Sequence, residues 1–314
     1  MKKRIAILCC LMMLLIQVTT NTKVIAATNY SGEWSNYSDI GNYGMDEMRL
    51  TIKDNGKKAS VEASEDTFIP RDDTRESYLN GIGKMRSHVV YGSVYFNTKG
   101  QASFNFKDDY NKGKMNIQLQ KDYIQITWKG NDSSEYSFPN GTFKLYKKIK
   151  VTSTESKKMG VFLSNFTEVF LDRFDSKKIN STDLIHFGIW HNYMNNYDTR
   201  ISSAKDGLLF ISKKNVEDSI YKYFNIQFIN HKSVDRYEYN GKGYIFDGAD
   251  GAQINYVKVE TVYDLGQNKL RLSGKLYNPE DDTAELRGQV EAVVIKTKNN
   301  NEIRYVLEKL TAKN

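Results

Sequence analysis

The chain has 314 residues, with 45 Lys and Arg against 38 Asp and Glu and only two cysteines. Four of the bases (Lys2, Lys3, Arg4 and Lys23) lie in residues 1–26 beside no acid, which leaves 41 bases against 38 acids for the rest. That near balance, with no long basic run elsewhere, excludes nucleic acid as an expected partner. The length is enough for two domains, each with its own core.

Lys2, Lys3 and Arg4 precede an apolar run from Ile5 to Leu15, and the small residues Ala26 and Ala27 follow. A basic start, a short apolar run and a small-residue cleavage site are the pattern of a secretory signal peptide. The run is short for a membrane span. Residues 1–27 are therefore expected to be removed, by cleavage after Ala26 or Ala27, leaving an extracellular protein with no membrane span. Both cysteines, Cys9 and Cys10, would go with the signal. A disulfide, a thiolate nucleophile and a Cys-ligated metal are then excluded from the mature chain.

Residues 28–148 alternate with period two. Met48, Leu50 and Ile52 read as one strand, and Ala59, Val61 and Ala63 follow a Lys53–Gly56 turn. Val90, Gly92, Val94 and Phe96 come next, then Ala102, Phe104 and Phe106, then Met115, Ile117 and Leu119. Ile124, Ile126 and Trp128 follow a tight turn at Lys121-Asp122, and Phe143 and Leu145 follow Asn140-Gly141. With the segment around Trp34, this gives about eight antiparallel strands. One apolar face over so many strands is best satisfied by closure into a β-barrel. Asp66–Lys84 breaks the alternation and reads as a lid or crossover loop.

Lys147–Lys158 is rich in Lys, Ser and Thr. It marks a boundary, with a polar linker at 149–158. Residues 159–314 then read as an α+β domain, three helices packed on an antiparallel sheet. Phe162, Phe166, Val169, Phe170 and Phe174 share the face of a first helix. The second runs through Asp183–Asn196, with Asn180 as N-cap and Asp183 at N3. Leu184, Phe187, Gly188 and His191 share its main face, extended by Met194 and Asn195, and Ile185 and Ile189 form a second apolar strip. His186 and Tyr193 are expected to point away. Gly188 implies a close backbone approach, since glycine costs about 1 kcal/mol in a helix interior. A short strand at Gly207–Ile211 leads to the third helix, capped by Ser212, with Val216, Ile220, Tyr223 and Phe224 as its stripe. Strands are expected at 236–239, 244–246, 253–263, 269–277, 285–296 and 303–309.

Three resemblances go with these patterns. Gly32-Glu33-Trp34, on the first strand of an eight-strand pattern, resembles the Gly-x-Trp signature of lipocalin-like (calycin) barrels, which implies that Trp34 plugs one barrel end. The order helix, helix, strand, helix and then a strand meander resembles NTF2-like and cystatin-like folds, in which a curved sheet wraps a helix. Phe162–Phe166, Leu184–Phe187, His191–Tyr193 with Asn195-Asn196, and Lys222–Phe224 are similar to a domain of secreted Firmicutes proteins with no assigned function. With the Lys-, Asn- and Tyr-rich composition, that resemblance implies a Gram-positive bacterial setting and an architecture, not an activity.

Recognisable catalytic motifs are absent from the sequence. There is no G-x-S-x-G elbow, P-loop or H-E-x-x-H. His186 and His191 are five apart, so they diverge by ~140° on a helix and do not form an i, i+4 metal pair. Gly81–Lys84 has too few glycines for a phosphate loop. Asp247–Gly251 lacks the alternating ligands of a calcium loop, and Asp108-Asp109 and Asp281-Asp282 are solvated loop pairs. Tyr91, Tyr95, Tyr123 and Tyr146 are expected as half-buried strand residues. Trp34, Trp190, His191 and Asn195 are the candidate ligand contacts, and no cofactor is expected. A non-catalytic binding protein of the cell envelope is the first expectation, with a cell-wall glycan, a small apolar ligand or another envelope protein as partner. The alternative is an extracellular hydrolase of glycan or peptide that uses an unrecognised carboxylate or histidine.

The signal reading predicts a secreted chain that starts at Ala27 or Thr28 and contains no cysteine. Intact-mass measurement on culture supernatant checks it; Met1–Ile25 retained in a membrane fraction would contradict it.

Overall fold

The computed structural model describes residues 29–36, 47–53, 58–70, 83–107, 112–130, 140–248, 254–278, 286–299 and 302–313. The signal segment lies outside these residues. The fold is mainly β, and among the described residues it comprises seventeen strands, four helices and one 3₁₀ turn.

The first half is antiparallel throughout. Its strands are β1 (Gly32–Ser35), β2 (Glu47–Ile52), β3 (Lys58–Pro70), β4 (Gly83–Tyr95), β5 (Gln101–Lys107), β6 (Lys112–Leu119), β7 (Ile124–Gly130) and β8 (Gly141–Lys148). Hydrogen-bonded neighbours run β5–β6–β7–β8–β1–β2–β3–β4. Each strand sends at least one buried side chain into a single apolar cluster, from Trp34 on β1 to Leu145 on β8. Period-two alternation produces this directly, because every second side chain points to the same face.

Two expectations for this half need correction. The barrel does not close, since no ladder joins β4 to β5 among the described residues. At that seam the Phe104 ring lies against Gly92, so close that a Cβ there would come within 2.9 Å of it. A packed ring fills the gap that a paired backbone would need. The lid is also shorter than expected, because Asp66–Pro70 extends β3 and Gly83-Lys84 opens β4, with Pro70 opposite Gly83. The remainder, 71–82, lies outside the described residues.

The sheet continues into the second half. Lys147 and Lys148 of β8 pair with Asp264 and Tyr263 of β14 (Tyr256–Gly266), and Ile149 N–H donates to Val262 O at 2.9 Å. β14, β15 (Lys269–Tyr277), β16 (Leu286–Asn299), β17 (Glu302–Lys313) and β9 (Arg173–Asp175) follow in antiparallel order. A second, four-stranded sheet has the order β10 (Ile201–Ser203), β11 (Leu209–Ser212), β13 (Gly243–Phe246), β12 (Glu238–Tyr239). The helices α1 (Ser153–Thr167), α2 (Ser181–Asn195) and α4 (Lys213–Phe224) share one apolar cluster with both sheets. α3 (Tyr197–Arg200) is a single turn that makes four helices where three were expected.

α1 begins inside the segment read as linker and ends sooner than expected. Thr152 caps it, its Oγ1 accepting from Glu155 N–H at 3.1 Å. The Thr152-x-x-Glu155 spacing is a helix-start signal that composition alone hides. After Thr167 the chain turns, and Phe170 takes φ 61° with half its surface exposed. Phe174 falls on β9 instead.

α1 docks through small residues on the edge of β14 that β8 leaves unpaired. Ser156 Oγ donates to Val259 O (2.9 Å), Thr167 Oγ1 donates to Asn255 O (2.7 Å), and Ser164 Oγ accepts from Val257 N–H (2.9 Å). Residues 255, 257 and 259 alternate, so their backbone groups face the same side. Gly160 sits between them, where a Cβ would lie 2.6 Å from Val257 O.

Gly160→Ala is therefore expected to lose about 1–3 kcal/mol, although alanine is the better helix former by about 1 kcal/mol. Urea unfolding of the full chain checks it, and a stabilised variant would contradict the close docking.

Candidate functional site

α2 is the axis of the second half. Asn180 caps it as expected, its Oδ1 accepting from Thr182 N–H while its Nδ2 donates to Asp183 Oδ1. Leu184, Ile185, Phe187, Gly188, Ile189, Trp190, His191 and Asn192 are all buried, so nearly the whole circumference is covered. Gly188 makes the expected close approach, since a Cβ would lie 2.6 Å from Val216 Cγ1 and 3.3 Å from Val216 O on α4. Phe166 of α1 stacks on Phe187 at 5.2 Å and meets Tyr223 and Phe224 of α4 edge-on.

His191 faces this aromatic junction. Its ring lies parallel to Phe187 at 5.2 Å and edge-on to Tyr223 at 4.6 Å. Asn195 Nδ2 donates to His191 Nδ1 at 3.3 Å and to Glu168 Oε1 at 2.6 Å. Burial first, then the charges of Lys222 and Arg200, push the His191 imidazole down to about 3. Burial raises the Glu168 carboxyl, partly offset by the Asn195 hydrogen bond. His191 Nδ1 and Glu168 Oε1 stand 3.9 Å apart. With His191 neutral they form no ion pair, and Asn195 bridges them instead.

The four candidates do not converge. Trp34 belongs to the first-half core, its Nε1–H donating to Tyr30 O at 2.8 Å, with Lys147 over its ring. Trp190 points to the other side of α2, under the Arg236 guanidinium at 4.6 Å. Its indole N–H lies toward the Tyr237 hydroxyl without reaching hydrogen-bond geometry. Only His191 and Asn195 act together. Asn195 and Met194 are exposed rather than inward.

His186 also departs from expectation. It is half-buried and bolts two segments together: Nε2 donates to Val169 O at 2.9 Å, and Nδ1 accepts from the Tyr237 hydroxyl at 2.7 Å. The segment before β12 covers the face of α2 that angular reasoning left free. Burial, the largest cause, lowers the His186 pKa as well. Beyond α2, Tyr123 and Tyr146 are half-buried as expected, but Tyr91 and Tyr95 are 71% and 68% exposed.

Two clefts flank α1. One, of 570 Å³, lies between α1 and β14 and takes in Glu168 and Asn195. The other, of 750 Å³, lies between α1, α4 and β17 and takes in Asn165 and Tyr223, whose hydroxyl donates to Asn165 Oδ1 at 3.0 Å. His191 is buried beneath both, touching Asn195 on one side and Tyr223 on the other. Sequence reading missed Glu168, Lys222, Arg304 and Tyr305 as cleft residues. Lys222 and Tyr223 stood in a segment of family resemblance, but nothing local marked them as a site.

Among the described residues, no three His, Cys, Asp or Glu side chains gather to hold a metal ion, and no helix is long and apolar enough to cross a membrane. Asp108-Asp109, Asp281-Asp282, Gly81-Ile82 and Ala249–Gly251 lie outside the described residues. No family model, curated protein or solved structure matches the chain.

The two histidines set an acid sensitivity. Unfolded, each imidazole takes a proton as pH falls through about 6.5. Folded, His191 stays neutral down to about 3. The unfolded state then binds more protons across that window, so stability falls as pH falls from about 6.5 toward 3, and the lowered His186 value acts in the same direction. Glu168, with its raised native value, opposes the trend. His191→Ala should flatten the slope of urea midpoint against pH, and an unchanged slope would contradict the assignment. At neutral pH, His186→Ala should cost about 1–3 kcal/mol by leaving two buried partners unpaired.

Proposed function

We propose that the protein is a secreted, non-catalytic binding protein of a bacterial cell envelope that seats its ligand in the clefts flanking α1. The observation that carries this reading is the use made of its polar groups. The residues best suited to acid–base work are engaged in holding helices. His191 is buried and neutral, Asn195 ties it to Glu168, and Asn192 Nδ2 donates to Gly188 O and to Ser219 Oγ while its Oδ1 accepts from Arg200. Buried polar groups satisfied in this way specify packing. The clefts beside them are large enough for a small ligand. The signal-like start of the chain supports the extracellular setting.

A second reading, an extracellular hydrolase of glycan or peptide, rests on Glu168 alone. A carboxyl raised by burial and lining a cleft has the character of a general acid. Its partner Asn195 carries no charge, and no second carboxylate lines that cleft among the described residues.

Incubation of the secreted protein with mixed cell-wall fragments and lipids, followed by mass spectrometry of what co-purifies, tests the choice. An intact retained ligand, equally retained by Glu168→Gln, is the expected result. Shortened glycans or peptides, formed by the wild type and not by Glu168→Gln, would establish the hydrolase instead.

A further inference from the structure

The larger cleft has an aromatic floor. Phe162 stacks on Tyr223 with ring centroids 5.9 Å apart and planes at 22°, and meets Tyr305 at 5.8 Å. Exposed Val161 and Ile303 extend its apolar side, and Thr152 and Thr154 bring hydroxyls at the start of α1. Three cations also line it: Lys158, Lys222 and Arg304.

Among the described residues these cations lack counter-charges. The carboxylate that lines the cleft, Glu155, already accepts Lys296 Nζ at 2.7 Å and Tyr305 OH at 3.4 Å. Lys222 Nζ lies over the face of Tyr223, 5.0 Å from its centroid. Arg304 Nη2 donates to Tyr221 O at 2.8 Å, and its guanidinium lies 5.6 Å from the Tyr221 ring. Its Nε–H is buried without a hydrogen-bond partner. No acid pairs with Lys158, Lys222 or Arg304 among the described residues. The Lys222 ammonium is held below its usual range by burial, then by repulsion from Arg200 and Arg304. Like charges gathered beside the buried rings of Tyr223 and Tyr305 repel one another, and an anion between them would relieve that repulsion.

Aromatic faces bind the apolar faces of rings, and cations beside them select a charged substituent. We propose that this cleft is a binding site for an anionic saccharide, its ring against Phe162, which Tyr223 and Tyr305 back, and its carboxylate or phosphate between Lys222 and Arg304. The proposal rests on the binding-protein reading and names the ligand class for one of its two clefts. A free fatty acid shares the charge but gains nothing from the hydroxyls and flat rings.

Isothermal titration calorimetry of the full secreted chain tests it with four probes: tri-galacturonate, glucose 6-phosphate, maltotriose and laurate. At least one of the two acidic sugars is expected to bind, and which of them binds identifies the carboxylate or the phosphate. Binding should weaken with added salt and fall about tenfold or more in Lys222→Gln and in Arg304→Gln. Lys222 makes no hydrogen bond or ion pair among the described residues, so its variant keeps the fold; an unchanged melting temperature verifies this. Maltotriose binding as tightly as the acids, laurate binding alone, or acid binding indifferent to both variants would overturn the proposal. So would failure of both acids. If envelope fragments are still retained in that last case, the binding reading survives and only the ligand class falls. If nothing is retained, both fall.

Discussion

The attachment of α1 to the edge of β14 is the constraint on which the second half depends. An edge strand exposes unpaired N–H and C=O groups that would recruit another strand. Among the described residues, β8 and the Ile149 that follows it cover β14 at Val262–Asp264. Over 255–259 a helix takes the place of a strand, and it does so with hydroxyls rather than with an apolar stripe. Ser156, Ser164 and Thr167 satisfy the strand's outward groups, and Gly160 lets the two backbones meet. With α1 fixed there, one of its flanks forms a cleft with β14 and the other forms a cleft with α4 and β17. Phe166 is delivered to the junction with Phe187, Tyr223 and Phe224.

Beneath the two clefts, electrostatics and packing pull in different directions. His191 itself is kept neutral by burial and is tied through Asn195 to Glu168. On the neighbouring α4, Lys222 is repelled by Arg200 and Arg304, and no acid among the described residues pairs with it. The first arrangement is that of a framework. The second is held at a cost to the unliganded protein, which a framework does not require. The contrast separates the residues that shape the site from those that would meet a ligand.

Much of the architecture was legible. The alternation in Leu50–Ile52, Met115–Leu119 and Ile124–Trp128 gives strands because burial on one face enforces period two. Asn180 and Ser212 are caps because their side chains accept from orphan helix N–H groups. The helix through Phe162 and Phe166 was legible, but its start at Ser153 was not, because its first turns carry Ser, Thr and Lys, which read as polar linker. His186 was placed on a free face because its cover, Tyr237, arrives 51 residues later. Trp34 was marked by its Gly-x-Trp setting and Trp190 by residue type alone; Trp34 proves to be core and Trp190 is capped by the Arg236 guanidinium. The cationic cleft was invisible for a plainer reason: Lys158, Lys222 and Arg304 come from three separate elements, and only the tertiary fold brings them together.

Amide hydrogen exchange at Val257 tests the docking of α1 most directly. This N–H faces away from β15 and is bonded to Ser164 Oγ. In the wild type it should be protected to a degree comparable with Leu272 and Val294 in the sheet interior. In Ser164→Ala its protection should drop sharply while that of Leu272 and Val294 persists. Rapid exchange at Val257 in the wild type, at the rate of an open strand edge, would contradict the account.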